Sequence, residues 1–155
     1  MLIGTAGKSL GLHGAFVTGS HALRLWLWNR ARSFVFSTGI SPVLASALVH
    51  RIAIVEADDT GRARLESRGA QLRAGLAELG VPDVARGRGP VIPWIIGSSE
   101  AAVGLSRRLR DQGILVQAIR PPTVPNGSAR LRITVHARLS AEDIERALAA
   151  FRATR

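Results

Sequence analysis

Lys8 is the only lysine in this chain of 155 residues, and every other basic side chain is an arginine. It lies near the N-terminus in the segment Gly4-Thr5-Ala6-Gly7-Lys8-Ser9-Leu10-Gly11. A lysine amine that loses its proton can form an imine with an aldehyde, which a permanently protonated guanidinium cannot do. The flanking glycines let the backbone approach a ligand closely, and the Thr5 hydroxyl can bind a phosphate. This combination indicates a site for a covalently bound cofactor.

Two other interpretations of the same segment are open. Gly7-Lys8-Ser9 is also the end of a P-loop motif, but that motif needs a glycine at position 2, where the chain has Leu2. A glycine-rich surface turn with an incidental lysine fits the local pattern about as well as a cofactor site does. The segment alone does not decide between a site and a turn.

The composition is that of a globular protein, with 46% apolar and 21% charged residues. The absence of cysteine excludes disulfides, thiol nucleophiles and cysteine–zinc sites. No apolar run is long enough for a membrane span and no export signal is present, so we expect a cytoplasmic protein. The net charge of +10 does not favour nucleic acid, because the arginines are dispersed and tyrosine is absent. It also suits an acidic substrate or an acidic carrier protein.

The pattern of elements predicts three regions, 1–40, 41–80 and 81–155. Two short strands and a helix capped by Ser20 are expected in the first region. Ser41-Pro42 begins a long helix, or a pair of helices, that Gly80 and Pro82 end. The third region is predicted to be a compact α+β unit with strands at 91–96, 114–119 and 130–135, and with helices that begin at Ser98 or Ser99 and at Ser140.

Few other polar residues are candidates for chemistry. Arg130 and Arg132 alternate with apolar residues, so they share one face of a strand, and either could hold a carboxylate. Glu142-Asp143 is expected to be part of a helix cap rather than a pair of catalytic carboxylates, and Asp58-Asp59 to be solvated. The four histidines have no metal-ligand spacing, so no metal site is predicted; they are His13, His21, His50 and His136.

Three separated segments resemble one known family. They are Gly4 to Gly11, then Arg32-Ser33-Phe34-Val35-Phe36-Ser37-Thr38, and then the stretch from Ala118 to Thr134 with its proline-rich loop Arg120 to Pro125. Together they are similar to the α-oxoamine synthases, which are pyridoxal-phosphate (PLP) enzymes of fold type I. The proline-rich loop is most typical of the family member that acts in biotin biosynthesis.

The resemblance implies a fold and a set of roles. The expected fold is the C-terminal part of an α/β PLP-dependent transferase: a remnant of the large domain, a linking helix and a small α+β domain. Lys8 matches the lysine that binds PLP covalently, and Thr5 matches a threonine on its phosphate. Ser37 and Thr38 match a pair that reaches the phosphate of the neighbouring subunit in a homodimer. Thr123 matches a substrate contact, and Arg132 matches the arginine that holds the amino-acid carboxylate.

The implied reaction is a decarboxylative condensation of L-alanine with a pimeloyl thioester, carried by CoA or by a carrier protein. The family's large domain precedes the lysine and supplies a phosphate loop, a stacking histidine and an aspartate for the pyridine nitrogen. We therefore expect the chain to be a fragment that is inactive alone, with exposed apolar faces in residues 1–60. The alternatives are another member of the family, of the glycine C-acetyltransferase type, and a non-catalytic interaction module.

Overall fold

The computed structural model of the chain describes residues 1–84 and 87–154. The chain divides into two compact units, Met1–Asp59 and Thr60–Arg155. The three regions expected from the sequence, with boundaries at residues 40 and 80, stay a prediction. Each of the two units has its own secondary structure and is described separately below.

The first unit opens with a β-hairpin. Strand β1 (Leu2–Thr5) pairs antiparallel with β2 (Ala15–Thr18), with Thr5 opposite Ala15. Three helices follow: α1 (His21–Arg30), α2 (Arg32–Val35) and α3 (Pro42–Ala57). The predicted helix starts are confirmed, because the hydroxyls of Ser20 and Ser41 each accept a hydrogen bond from the backbone N–H three residues on.

The region predicted as one long helix or a pair contains two helices. After α3 ends, α4 (Asp59–Glu78) begins, and Asp58 between them has φ −90° and ψ 63°, which is not helical. Helix α4 contributes Leu72 and Leu76 to the core of the second unit. Gly80, at φ +74°, follows the helix where the sequence predicted its end.

The second unit is an antiparallel sheet with helices. Its elements after α4 are β3 (Val91–Gly97), α5 (Ser99–Asp111), β4 (Gln117–Ile119), β5 (Ala129–Thr134) and α6 (Ala141–Ala153). The strand order is β3-β5-β4, so β5 is the central strand. One face of β5 is buried in a core with Ile92, Leu105, Ile144 and Phe151. The α+β organisation predicted for this region is confirmed.

The strand predicted over 114–119 forms only at its end. The N–H of Ile114 donates to the Leu109 carbonyl (2.9 Å), and the Ser106 hydroxyl donates to the Val116 carbonyl (2.6 Å). These bonds hold residues 114–116 against α5: the first satisfies a carbonyl near the end of the helix, and the second uses the hydroxyl of a buried helix residue. Pro93 was expected at an edge or a bulge, and β3 is indeed an edge strand.

The two units differ in how much apolar surface they expose. All but three of the exposed large apolar side chains in the described part of the chain precede residue 60; the exceptions are Val91, Ile95 and Leu115. Trp26 and Trp28 are 61% and 62% exposed. The expectation of exposed apolar faces in residues 1–60 is confirmed.

Candidate functional site

Lys8 lies in the loop that joins β1 to β2, and this loop is closed by its own backbone. The N–H of Ala6 donates to the Gly14 carbonyl (2.9 Å), and that of Leu12 donates to the Ala6 carbonyl (2.9 Å). Ala6 is completely buried, whereas Lys8 is exposed. The base of the loop is therefore held by backbone hydrogen bonds, and the single lysine lies exposed on it.

Two glycines in this loop adopt conformations that other residues rarely accept. Gly11 has φ +66° and Gly14 has φ +110°. The turn also uses a bond from the Gly11 N–H to the Lys8 carbonyl, at 3.0 Å. The glycine-rich composition around Lys8 is thus explained by the turn, and this turn places Lys8 at its exposed end.

Thr5 is the last residue of β1 and lies three residues before Lys8. It is exposed, and its backbone is held in register opposite Ala15. A hydroxyl on a paired strand has less backbone freedom than one on a loop, so it is well suited to a fixed hydrogen bond to an oxyanion.

Ser37 and Thr38 follow α2, and both are exposed. The segment they belong to approaches the lysine loop, because the Ile40 side chain lies within 3.2 Å of the position that a Cβ on Gly14 would take. Glycine at position 14 makes this close approach possible. The structure therefore brings Ile40, two residues after Thr38, against the end of the loop that carries Lys8.

The two arginines of β5 have different surroundings. The Arg130 Nε–H donates to the Ser128 carbonyl (2.9 Å), which ties this guanidinium to the preceding loop. Arg132 is exposed between Pro93 of β3 and Gln117 of β4, and no residue of 1–84 or 87–154 hydrogen-bonds its guanidinium. The geometry favours Arg132 over Arg130 for a ligand carboxylate.

The proline-rich loop that contains Thr123 is held by local bonds. The Thr123 N–H donates to the Arg120 carbonyl (3.0 Å), and the Ser128 hydroxyl donates to the Pro125 carbonyl (2.7 Å). The Pro121–Pro122 peptide is cis. Thr123 is exposed on this loop, where its hydroxyl is open to a substrate.

Arg132 also lines a groove of about 570 Å³ at the edge of the sheet. Two other arginines line this groove: Arg120, which from the sequence is either a substrate contact or an anchor of the proline-rich loop, and Arg110 in the last turn of α5, to which the sequence assigned no role. The Arg120 guanidinium makes no hydrogen bond to the proline-rich loop, nor to any other described residue. Arg120 thus supports that loop only through its backbone carbonyl, and its side chain adds no bond to the loop.

The acidic residues expected to cap a helix do so. Ser140 and Asp143 form a capping box at the start of α6, in which the Ser140 N–H donates to Asp143 Oδ2 (2.9 Å). This backbone hydrogen bond lowers the pKa of Asp143, and the Glu142 pKa is lowered by its own backbone N–H and by Ser140. Of the two carboxyl groups, that of Asp143 forms the helix cap, and Glu142 lies in the first turn of the same helix.

Further findings concern metals and membranes. Within residues 1–84 and 87–154, no three histidine or acidic side chains come together to hold a metal ion. In the same part of the chain, no helix has both the length and the apolar character needed to cross a membrane.

The family can now be stated. The sequence profile described as "Aminotransferase class I and II" matches residues 1–151, so the chain belongs to that family. Its relatives include the 8-amino-7-oxononanoate synthase of Marinobacter nauticus, 43% identical over 155 residues that cover the whole chain and 39% of the relative. The 8-amino-7-oxononanoate synthase of Nitrosococcus oceani is 45% identical over 148 residues, which cover 96% of the chain and 39% of that relative. The chain spans about two fifths of the length of these curated relatives.

Solved structures agree on the fold. The serine palmitoyltransferase of Sphingomonas wittichii matches with a TM-score of 0.86 and 28% identity, over 98% of this chain and 38% of that one. An 8-amino-7-oxononanoate synthase from Francisella tularensis has a TM-score of 0.82 over 96% of this chain and 43% of that one. Because its identity is 24%, this likeness shows the fold alone. The predicted fold class and the resemblance to the family member of biotin biosynthesis are confirmed. The roles assigned to single residues stay predictions.

Proposed function

We propose that this chain serves a PLP-dependent decarboxylative condensation of L-alanine with a pimeloyl thioester, which gives 8-amino-7-oxononanoate. The observation that carries the proposal is Lys8: the only lysine of the chain is exposed on a closed turn, in a sequence 43% identical throughout to an 8-amino-7-oxononanoate synthase. We propose a homodimer in the cytoplasm as the working state. The thioester is that of CoA or of a carrier protein.

The residues of the first unit fit PLP in chemistry and exposure. The Lys8 amine suits the aldehyde, and the Thr5 hydroxyl, fixed at the end of β1, suits the phosphate. Ser37 and Thr38 are assigned to the phosphate of the neighbouring subunit. When bound, PLP supplies an electron sink for the α-carbon of the amino acid.

The chain's own residues have three tasks in the reaction. Arg132, on the central strand, holds the alanine carboxylate with its planar guanidinium, and Thr123 contacts the substrate from the proline-rich loop. With PLP bound, the Lys8 amine would take the proton from the alanine α-carbon and, after the thiol and carbon dioxide have left, return one to that carbon. Placement of Arg132 on a strand with partners on both sides limits its movement during these steps.

Covalent labelling tests the assignment of Lys8. The chain is incubated with PLP, reduced with borohydride and digested, and the modified peptide is identified by mass spectrometry. Because Lys8 is the only lysine, the amines of Lys8 and of the N-terminal Met1 are the two that can carry the label, and fragment ions of the labelled peptide distinguish them. We expect label on Lys8 and none at position 8 in Lys8→Arg. Label confined to the Met1 amine would refute the proposal.

A second candidate is the condensation of serine with a palmitoyl thioester. It is favoured by the likeness to the serine palmitoyltransferase of Sphingomonas wittichii, although the identity of 28% is lower than that to the oxononanoate synthases. Amino-acid preference separates the two candidates. Stronger binding of serine than of alanine to the PLP-loaded protein would favour the second one.

A further inference from the structure

The groove beside Arg132 exists because two neighbouring strands differ in length. The pairing of β4 with β5 runs from Gln117 opposite Arg132 to Ile119 opposite Arg130. Thr134 of β5 therefore extends past the start of β4, where residues 114–116 are held against the end of α5. The groove lies at this edge of the sheet, and its lining comes entirely from the second unit.

Three arginines from separate parts of the second unit line this groove. Arg110 belongs to the last turn of α5, Arg120 follows β4, and Arg132 is on β5. None of the three has an ion pair or a side-chain hydrogen bond with any residue of the described ranges 1–84 and 87–154. No aspartate or glutamate from those ranges lines the groove.

Like charges around one concave surface repel each other and attract anions. A single carboxylate is satisfied by one guanidinium, which binds it through two parallel hydrogen bonds. Arg132 alone therefore suffices for the carboxylate of an amino acid. The presence of Arg110 and Arg120 in the same groove leaves room and charge for a second anionic group.

The groove also has an apolar wall. Leu115 is 80% exposed, and Val116 lies beside it as a buried residue. An apolar chain with an anionic end matches a wall of this kind better than a compact phosphate does, because the chain covers Leu115 while its end meets a guanidinium.

We propose that the groove recognises the free carboxylate at the far end of a dicarboxylic acyl chain, and that Arg110 is the residue that binds it. This inference rests on the proposed function, in which Arg132 holds the amino-acid carboxylate. Arg110 then distinguishes a dicarboxylic thioester from a monocarboxylic one, because only the former has an anion to place at the end of α5. Arg110 is a specificity residue of the acyl substrate.

The test is a binding titration without cofactor. Heptanedioate, with a carboxylate at each end, and hexanoate, with one, are titrated into the isotopically labelled chain while the arginine Nε–H signals are followed by NMR. Heptanedioate bridges Arg132 and Arg110, so we expect it to bind about tenfold more tightly than hexanoate, which is the effect of one added charge-assisted hydrogen-bonded group. Arg110→Gln should reduce the affinity for heptanedioate to that for hexanoate and leave hexanoate binding unchanged.

Arg107→Gln is the matched control, since Arg107 is exposed on the same helix and does not line the groove. Equal affinities for the two acids would overturn the inference. Equal losses of heptanedioate affinity in the Arg107 and Arg110 variants would overturn it as well. Tighter binding of pyrophosphate than of heptanedioate would overturn it too, in favour of a phosphate site. The titration contains no PLP, so a failure of Lys8 labelling contradicts the proposed function alone, and a failure to discriminate the two acids contradicts this inference alone.

Discussion

Replacement of Thr5 by valine tests the phosphate assignment with little change in shape. Valine keeps the branched side chain and suits a strand, so β1 should still pair with β2. The variant lacks the hydroxyl, and a hydrogen bond to a charged group contributes about 1.5–3 kcal/mol. Thr5 is exposed, which places the expected loss near the lower end of that range. The PLP dissociation constant should therefore rise about tenfold.

The assay compares two aldehydes. The dissociation constants of PLP and of pyridoxal, which lacks the phosphate, are measured from the absorbance of the lysine-bound form. Thr5→Val should weaken the binding of PLP and leave the binding of pyridoxal unchanged, because the lost hydrogen bond is to the phosphate. Thr18→Val is the matched control, since Thr18 is exposed at the opposite end of the same hairpin, paired with Leu2. Equal weakening of both aldehydes, or an equal effect of Thr18→Val, would refute the phosphate assignment.

Three other substitutions have defined outcomes. Arg132→Gln should weaken L-alanine binding to the PLP-loaded protein tenfold or more, measured by spectral titration, because a charge-assisted carboxylate bond is lost. Arg73→Met should lower the free energy of unfolding in urea by about 3 kcal/mol, because the buried guanidinium donates to three backbone carbonyls that would lose their partner. Ser140→Ala should lower it by about 1 kcal/mol through loss of a helix cap. The Asp143 pKa is lowered in the folded chain, so its stabilising contribution is complete above the ordinary aspartate pKa and is lost as the pH falls through the folded value, which a pH series of urea unfolding curves would show.

Two matched variants make these outcomes specific. Arg130→Gln, on the same face of β5, should change alanine affinity less than threefold, because its guanidinium is bound to the Ser128 carbonyl. A larger effect in Arg130→Gln than in Arg132→Gln would reverse their assignment. Arg64→Met, exposed on the same helix as Arg73, should change stability by no more than about 0.5 kcal/mol. Equal losses of unfolding free energy in the two arginine-to-methionine variants would mean that the buried hydrogen bonds of Arg73 add nothing to stability.

Local signals in the sequence predicted most helix boundaries. Ser20, Ser41 and Ser140 were each expected to begin a helix, as was Ser98 or Ser99, and Ser20, Ser41, Ser98 and Ser140 each accept the hydrogen bond of an N-cap. These predictions succeed because a cap depends on residues within one turn of the chain. The strand over 114–119 was wrong by three residues, because bonds to α5 decide the conformation of its first half.

Arg73 is an example of what the periodic pattern missed. The sequence placed it in the helical region between Ser41 and Gly80 and gave it no role, yet it is 6% exposed and its guanidinium donates to the carbonyls of Val84, Gly89 and Val91. Its position next to Leu72 and three residues before Leu76 was the available signal, because it falls on the buried face of α4. The partners themselves are 11 to 18 residues away and could not be inferred from local spacing.

The sequence by itself determined the family, the single lysine and the residues that could bind a cofactor and a carboxylate, because these depend on residue type and on motifs within short segments. Only the structure decided which arginine of β5 is free, because alternation along the strand treats Arg130 and Arg132 alike and does not show that the Arg130 Nε–H is bound to the Ser128 carbonyl. It also brought Arg110 into the groove of Arg132, although they are 22 positions apart in the chain. Charges that far apart meet only when a helix and a sheet pack together, and this packing is what gives the groove its chemistry.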